Sequence, residues 1–200
     1  MSVNPELVRW DEKYRHGVTP FFIEPKGESE LVDWFTRDQE VPQLEHGLAL
    51  EVACGRGANA MYLASLGYDV IAVDGSLEGI RSCQRSASHL ELPVYPVVMD
   101  LEQVVLPKSQ FKLISVVRYL QRSLIAPLID ALAPGGLLFF KTFNQRFLVH
   151  KPNFPVDFVL QSGELSNWFG SYDVLATNEF DDGVSTSSYM LVRKPVELET

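Results

Sequence analysis

Between Leu48 and Phe143 short apolar runs rich in β-branched residues alternate with stretches whose apolar residues recur at helical spacing. That is the pattern of βαβ units and a largely parallel sheet. The runs Leu48–Ala53, Asp69–Asp74, Val94–Met99, Lys112–Val117 and Leu137–Phe143 predict five strands. Because they are apolar along their length rather than alternating, helices are expected on both faces of the sheet. The first crossover helix, Ala58 to Leu66, carries Met61, Leu63, Ala64 and Leu66 and stops at Gly67, a residue suited to the position after a helix end. The second starts after Ser76 as N-cap and runs to about His89. The third covers roughly Ser123 to Ala133, with Leu124, Leu128 and Leu132 on one stripe, and closes at Pro134-Gly135-Gly136; Pro127 inside it predicts a late start or a kink. Pro96, preceded by Pro93, interrupts the third strand, and a residue that cannot donate to a ladder belongs at a sheet edge. In a doubly wound sheet that grows outward from strand one, strand three is that edge.

Beyond Phe143 the pattern changes. Ser162 to Phe169, closed by Gly170, reads as a short helix, and Tyr172–Phe180 and Ser185–Arg193 are strands joined by the hairpin signal Asp181-Asp182-Gly183. Lys151 to Pro155 reads as an irregular loop. Upstream, Asn4-Pro5 sets an N-cap and a first-turn proline before a helix bearing Leu7, Trp10 and Tyr14, and Leu31, Trp34 and Phe35 mark a second helix. Residues 1–47 are therefore expected to form a helical cover over the ligand edge of a core at 48–200.

Length and charge narrow the function. Two hundred residues, 46% hydrophobic and 22% charged, suffice for one domain with a buried core and not for two. A formal charge of −9 gives no basic stripe for a nucleic-acid backbone, so a small-molecule partner is expected. Apolar runs such as Leu137–Phe140 fall far short of the roughly 18 residues a membrane span needs. Glu6, Arg9, Asp11, Glu12, Lys13 and Arg15 stand where a signal peptide would be apolar, which predicts a cytoplasmic protein without membrane contact. Cys54, Cys83 and the histidines at 16, 46, 89 and 150 have no metal-ligand spacing, so neither a metal nor a disulfide framework is expected. Nothing in the pattern specifies an oligomer.

The chemistry concentrates in Leu50-Glu51-Val52-Ala53-Cys54-Gly55-Arg56-Gly57-Ala58-Asn59, followed by Asp74 at the tip of the next strand. This is a strand, a tight glycine turn and a helix N-terminus, with a carboxylate able to accept both hydroxyls of a ribose. Gly55 and Gly57 admit a ligand where a Cβ would block it. An adenosine-type ligand across the carboxyl ends of strands one and two is expected. A dinucleotide turn prefers a third glycine where Ala60 stands, and Glu51 suits a cationic amino acid better than a diphosphate. A nicotinamide-dependent reductase is thereby the weaker alternative, beside a non-catalytic cofactor-binding module.

The run from Glu51 to Asn59, with Gly67-Tyr-Asp-Val-Ile-Ala-Val-Asp74-Gly75-Ser76, resembles the first two motifs of class I S-adenosylmethionine-dependent methyltransferases. The nearest subgroup is similar to the small bacterial tellurite-resistance and thiopurine methyltransferases. Trp10-Asp-Glu-Lys-Tyr14 and Pro20-Phe21-Phe22 resemble their N-terminal cover, Leu132-Ala-Pro-Gly-Gly-Leu-Leu-Phe their turn into strand five, and the terminal hairpin their reversed seventh strand. The resemblance implies a doubly wound α/β domain of seven strands in the order 3-2-1-4-5-7-6, the seventh antiparallel, with S-adenosylmethionine as cofactor. It implies that Glu51 and the backbone of Ala53, Cys54, Gly55 and Gly57 hold the methionine portion, that Asp74 and Gly75 hold the ribose, and that Ser76 borders the adenine. Asp100 and Leu101 would take the adenine amino group and ring, Arg118 the methionine end or transfer site, and Trp10 and Tyr14 the open side.

At the strand-four exit Arg118, Tyr119 and Arg122 are candidates for an anionic acceptor, as are Lys141, Asn144 and Arg146 at the exit of strand five. Arg118-Tyr119 lacks the Asn-Pro-Pro-Tyr pattern of amide-nitrogen methylation, which counts against nucleobase amines and glutamine. A soft anion or thiol, which needs no base, is the expected acceptor class.

Overall fold

The computed structural model describes residues 5–16, 23–37, 46–179 and 184–196. Asn4, the Pro20-Phe21-Phe22 part of the expected cover and the Asp181-Asp182-Gly183 turn lie outside the described residues. The chain groups into two compact units, residues 1–104 and 105–200, so the first two helices belong with the first three strands. The sheet order is 3-2-1-4-5-7-6, as expected.

The first unit runs α1 (Pro5–His16), α2 (Ser29–Arg37), β1 (Leu48–Val52), α3 (Ala58–Ser65), β2 (Asp69–Asp74), α4 (Leu77–Leu90) and β3 (Val94–Val98). β1 pairs with β2 in parallel from Leu48↔Asp69 to Val52↔Val73, and β2 with β3 from Val70↔Val94 to Asp74↔Val98. β1 stops one residue before the expected Ala53 because that residue turns into the left-handed region at φ 53°. α3 closes as predicted at Gly67, whose N–H reaches the Ala64 carbonyl at 3.0 Å. Ser76 caps α4, its Oγ accepting from Gly79 N at 3.1 Å. Ala49, Leu50 and Val52 of β1, Val70, Ala72 and Val73 of β2, and Met61 and Leu63 of α3 make the core.

One expectation needs correction here. β3 is not covered on both faces: Tyr95 and Val97, which share one face, are 54% and 39% exposed, while Val94 on the other face is buried. α4 and, less closely, α3 pack against this edge strand. In α2, Leu31 is fully buried, and Phe35 meets Tyr68 edge-on at 6.5 Å between ring centroids, at the residue preceding β2 and thus at the strand's amino end.

Proline does place β3 at the edge. Val70 N donates to Pro93 O and Met99 N to Asp74 O, so odd-numbered residues of β3 bond inward and Pro96 stands in the outward register. The N–H that it lacks is one that a neighbouring edge would have used.

The second unit contains β4 (Phe111–Val117), a 3₁₀ turn (Arg122–Leu124), α5 (Ile125–Ala131), β5 (Leu132–Phe143), α6 (Phe147–His150), a second 3₁₀ turn (Val156–Phe158), α7 (Glu164–Phe169), β6 (Asp173–Thr177) and β7 (Ser187–Arg193). β4 and β5 are parallel, and β7 runs antiparallel to both β5 and β6. α5 starts late, at Ile125, which puts Pro127 in the first turn where no helical donor is lost. β5 begins at Leu132 rather than Leu137: Leu132 pairs with Phe111, and the register shift before Leu113 absorbs the Pro134-Gly135-Gly136 turn. That turn is sewn to Lys194 by Gly135 N to Lys194 O and Lys194 N to Gly136 O, both 2.9 Å. α7 starts at Glu164 because Glu179 caps it, accepting from Leu165 N at 2.7 Å and Ser166 N at 2.8 Å. Phe111, Leu113, Phe139, Phe140 and Phe169 fill this unit's core. No helix among the described residues is long and apolar enough to cross a membrane.

Candidate cofactor site

The turn after β1 takes the left-handed conformation at every second residue: Ala53 at φ 53°, Gly55 at 55° and Gly57 at 87°. Glycine is the residue that does this without strain, so Ala53 bears a cost that the glycines avoid. Space tells the same story. A Cβ on Gly55 would lie 2.5 Å from the Tyr14 hydroxyl oxygen, and one on Gly57 would lie 2.3 Å from Cys83 Sγ.

Asp74 ends β2 beside this turn and is 9% exposed. Its Oδ2 accepts Gly55 N at 2.7 Å and its Oδ1 accepts Ser76 N at 2.8 Å. Each carboxylate oxygen has two lone-pair sites, so one on each remains for a hydroxyl donor beyond these amides. Burial raises the Asp74 pKa above the ordinary 3.8; the two amides oppose that rise and the Asp11 charge adds to it.

Glu51, 3% exposed in β1, accepts Asn59 Nδ2 at 2.6 Å. Asn59 in turn accepts Glu28 N at 3.1 Å, and Lys26 N donates to Ala58 O at 3.0 Å, so the irregular segment before α2 crosses the start of α3. A buried carboxylate thus stands at the carboxyl half of β1, oriented by an amide side chain.

α1 is fastened over the turn. Asp11 accepts from Ser76 Oγ and, at 3.2 Å, from Glu78 N, adding a second acceptor to the N-terminus of α4. Arg56 Nη2 donates to the Tyr14 carbonyl. Burial, and then the charge of Asp74, raise the Tyr14 pKa well above 10, so its hydroxyl stays a neutral donor. Of the predicted aromatic pair, Tyr14 reaches the turn; Trp10 stacks on Tyr14 at 5.8 Å and carries the Lys13 ammonium 4.0 Å above its ring.

Cys54 is not activated. A hydrogen bond with Cys83 raises its pKa first, burial second, and the Asp74 and Glu51 charges add to both. Gly75 joins Asp74 to the capping Ser76. Asp100 follows Met99, which donates to Asp74 O, but its carboxylate is exposed and accepts from Glu102 N and Gln103 Nε2 of its own loop; Leu101 is 8% exposed.

In the second unit Arg118 leaves β4 at φ 57°, is exposed, and donates its N–H to Lys141 O at 2.8 Å. Tyr119 hydrogen-bonds Gln121. Arg122 is engaged within the unit: Nε and Nη2 grip Glu164 at 2.6 and 3.0 Å, while Nη1 and Nη2 reach the carbonyls of Asp157 and Val159 at 2.7 and 3.1 Å. Four of its five N–H donors serve the fold. Asn144 is engaged likewise, with Ser185 O, Ser188 Oγ and Arg146 N. Lys141 is 8% exposed in mid-sheet. Sequence reasoning missed Asp11 and the orienting role of Asn59, which the quoted motif contained.

Residues 49–136 match the family model described as "Methyltransferase domain". The chain is 25% identical over 138 residues to Hemagglutinin 1 of Eikenella corrodens, covering 65% of this chain and 45% of that protein; it spans less than half the length of that relative. Among solved structures it is similar to TehB from Haemophilus influenzae, with TM-score 0.67 and 18% identity over 92% of this chain and 65% of that one. It is also similar to geranyl diphosphate C-methyltransferase from Streptomyces coelicolor A3(2), solved with Mg2+, geranyl diphosphate and S-adenosyl-L-homocysteine. There the TM-score is 0.64 and the identity 12%, over 97% of this chain and 99% of that one. The chain has the seven-stranded α/β fold of these methyltransferase structures, with the sheet order 3-2-1-4-5-7-6, and its residues 49–136 match the methyltransferase-domain model.

Proposed function

We propose that the protein transfers the methyl group of S-adenosylmethionine to a small-molecule acceptor, with soft anions and thiols as the favoured class and nucleic acid disfavoured by the net charge of −9. The observation that carries this is Asp74, a buried carboxylate with one lone pair left on each oxygen, fixed beside a glycine turn that leaves no room for a Cβ. The cofactor supplies a methyl on a positively charged sulfur with a neutral leaving group. The chain's own residues then bind and orient: Asp74 accepts the ribose hydroxyls, Glu51 faces the amino-acid end, and Tyr14 and the fastened α1 shield the turn from water. No proton need leave a thiolate or similar acceptor. Cys54, whose thiol is held protonated, does not compete as a methyl acceptor.

The narrower likeness to the tellurite-resistance and thiopurine group is part of this proposal, and the fold match to TehB supports it. Calorimetry tests the site. Asp74→Ala is expected to weaken S-adenosylhomocysteine binding by about 1–3 kcal/mol, the range for losing hydrogen bonds to a charged group. Unchanged affinity, or tighter binding of a nicotinamide dinucleotide than of S-adenosylhomocysteine, overturns the proposal.

A further inference from the structure

Asn59 sits inside a helix without capping it. It is the second residue of α3, whose N-terminus has no side-chain cap, although asparagine is favoured at caps and costs a helix a little in its interior. Its side chain bonds elsewhere: Nδ2 donates to Glu51 Oε2 at 2.6 Å, and Oδ1 accepts from Glu28 N at 3.1 Å. An amide side chain has one donating end and one accepting end. The backbone N–H of Glu28 can only donate, so it claims the oxygen and thereby turns the NH2 group toward Glu51.

The segment that supplies this N–H is itself pinned. Ile23 N donates to Ser86 Oγ of α4 at 2.9 Å, and Lys26 N to Ala58 O of α3 at 3.0 Å. A Cβ on Gly27 would collide with the Tyr62 ring of α3 and with Val32, so glycine is what lets residues 23–28 lie this close to α3. All of these groups belong to the first unit, and together they set the amide's orientation from outside the helix that carries it.

Glu51, meanwhile, is more than the fold requires. A neutral amide oxygen would also accept from Asn59, whereas a carboxylate that is 3% exposed costs free energy to bury. A charge kept at that cost in β1, with its carboxylate held from one side, has the makings of a contact for a cation. The ammonium group on the amino-acid end of S-adenosylmethionine is such a cation.

We infer that Asn59 is a positioning residue, which holds the Glu51 carboxylate for that ammonium group and so sets the preference for the complete cofactor over a nucleoside that lacks the amino-acid end. The inference rests on the methyl-transfer reading and deepens it by one residue.

The test is calorimetric titration with S-adenosylhomocysteine and with 5′-methylthioadenosine, which keeps adenine, ribose and sulfur but carries a methyl in place of the amino-acid arm. The native protein is expected to hold the first ligand more tightly by about tenfold or more. Asn59→Asp keeps an oxygen for Glu28 N and sets a like charge against Glu51; it is expected to weaken S-adenosylhomocysteine about tenfold while methylthioadenosine changes by less than about twofold. Asn59→Ala, which removes the hold without adding charge, is expected to weaken the first ligand about threefold to tenfold and again to spare the second. Asp74→Ala, which acts on the ribose that both ligands share, weakens both. A native protein that holds the two ligands equally, an unchanged ratio in both Asn59 variants, or equal loss of both ligands, as a merely structural role would give, overturns the inference; binding of S-adenosylhomocysteine by the native protein then leaves methyl transfer standing. Failure of the native protein to bind S-adenosylhomocysteine overturns both.

Discussion

Asp74 couples acidity to cofactor binding. Its carboxylate must be ionised to accept from a ribose, and burial raises its pKa above 3.8. Affinity for S-adenosylhomocysteine is therefore expected to hold at neutral pH and to fall on acidification sooner than for an exposed aspartate. Calorimetry in steps of pH reads this, and Asp74→Asn, already weakened, should flatten the profile. For stability the sign is opposite: a carboxyl whose folded pKa is raised favours the fold below its unfolded pKa, and that contribution is lost as pH rises through the folded value. Asp74, Gly55, Gly57 and Ser76 were legible in the sequence because strand, turn and cap follow local rules. Asp11 was not, since its partner Ser76 lies 65 residues away and only the docking of α1 joins them. The Arg122–Glu164 pair was not legible for the same reason: 42 residues separate the two, and no spacing rule links a strand exit to the start of α7.

Elements were legible where period and punctuation agreed. α3, α4 and the first two strands came out close to their predicted bounds because Gly67 and Ser76 mark real ends. β5 did not, because Pro134-Gly135-Gly136 looks like a terminator and is instead absorbed between paired residues on either side. The segment Asn144–Leu160 that follows β5 is tied at its far end by Leu160 N, which donates to Phe143 O, and by Arg122, which donates to the Asp157 and Val159 carbonyls. Arg122→Ala is expected to quicken amide exchange at residues 157–160 while leaving β4 and β5 protected. Its cost to global stability should be modest, about 1 kcal/mol, because the Arg122 side chain is 39% exposed and water screens the pair. Equal exchange rates in the variant would mean that the Leu160 N–Phe143 O bond and the contacts among Phe143, Phe147, Phe154 and Phe158 hold the segment without Arg122.

For the whole molecule, the edge position of β3 followed from its proline, while the full strand order and the reversed seventh strand were what the family resemblance implied. Pro96 belongs in the outward register of β3, where Tyr95, Val97 and Val98 are exposed. Pro96→Val restores an outward N–H on an apolar edge, and concentration-dependent association by analytical ultracentrifugation is the expected outcome; a variant that sediments like the parent would show that the proline is not what keeps that edge single. The Asn144–Leu160 segment carries a different consequence, for how such a chain changes over generations. With Asn144 and Leu160 pinned to each other's strand end, the residues between them can be lengthened, shortened or exchanged without shifting the register of β5 against β7. Novelty can therefore accumulate in that segment, whereas the glycine turn after β1, where a Cβ on Gly55 or Gly57 has no room, tolerates little exchange.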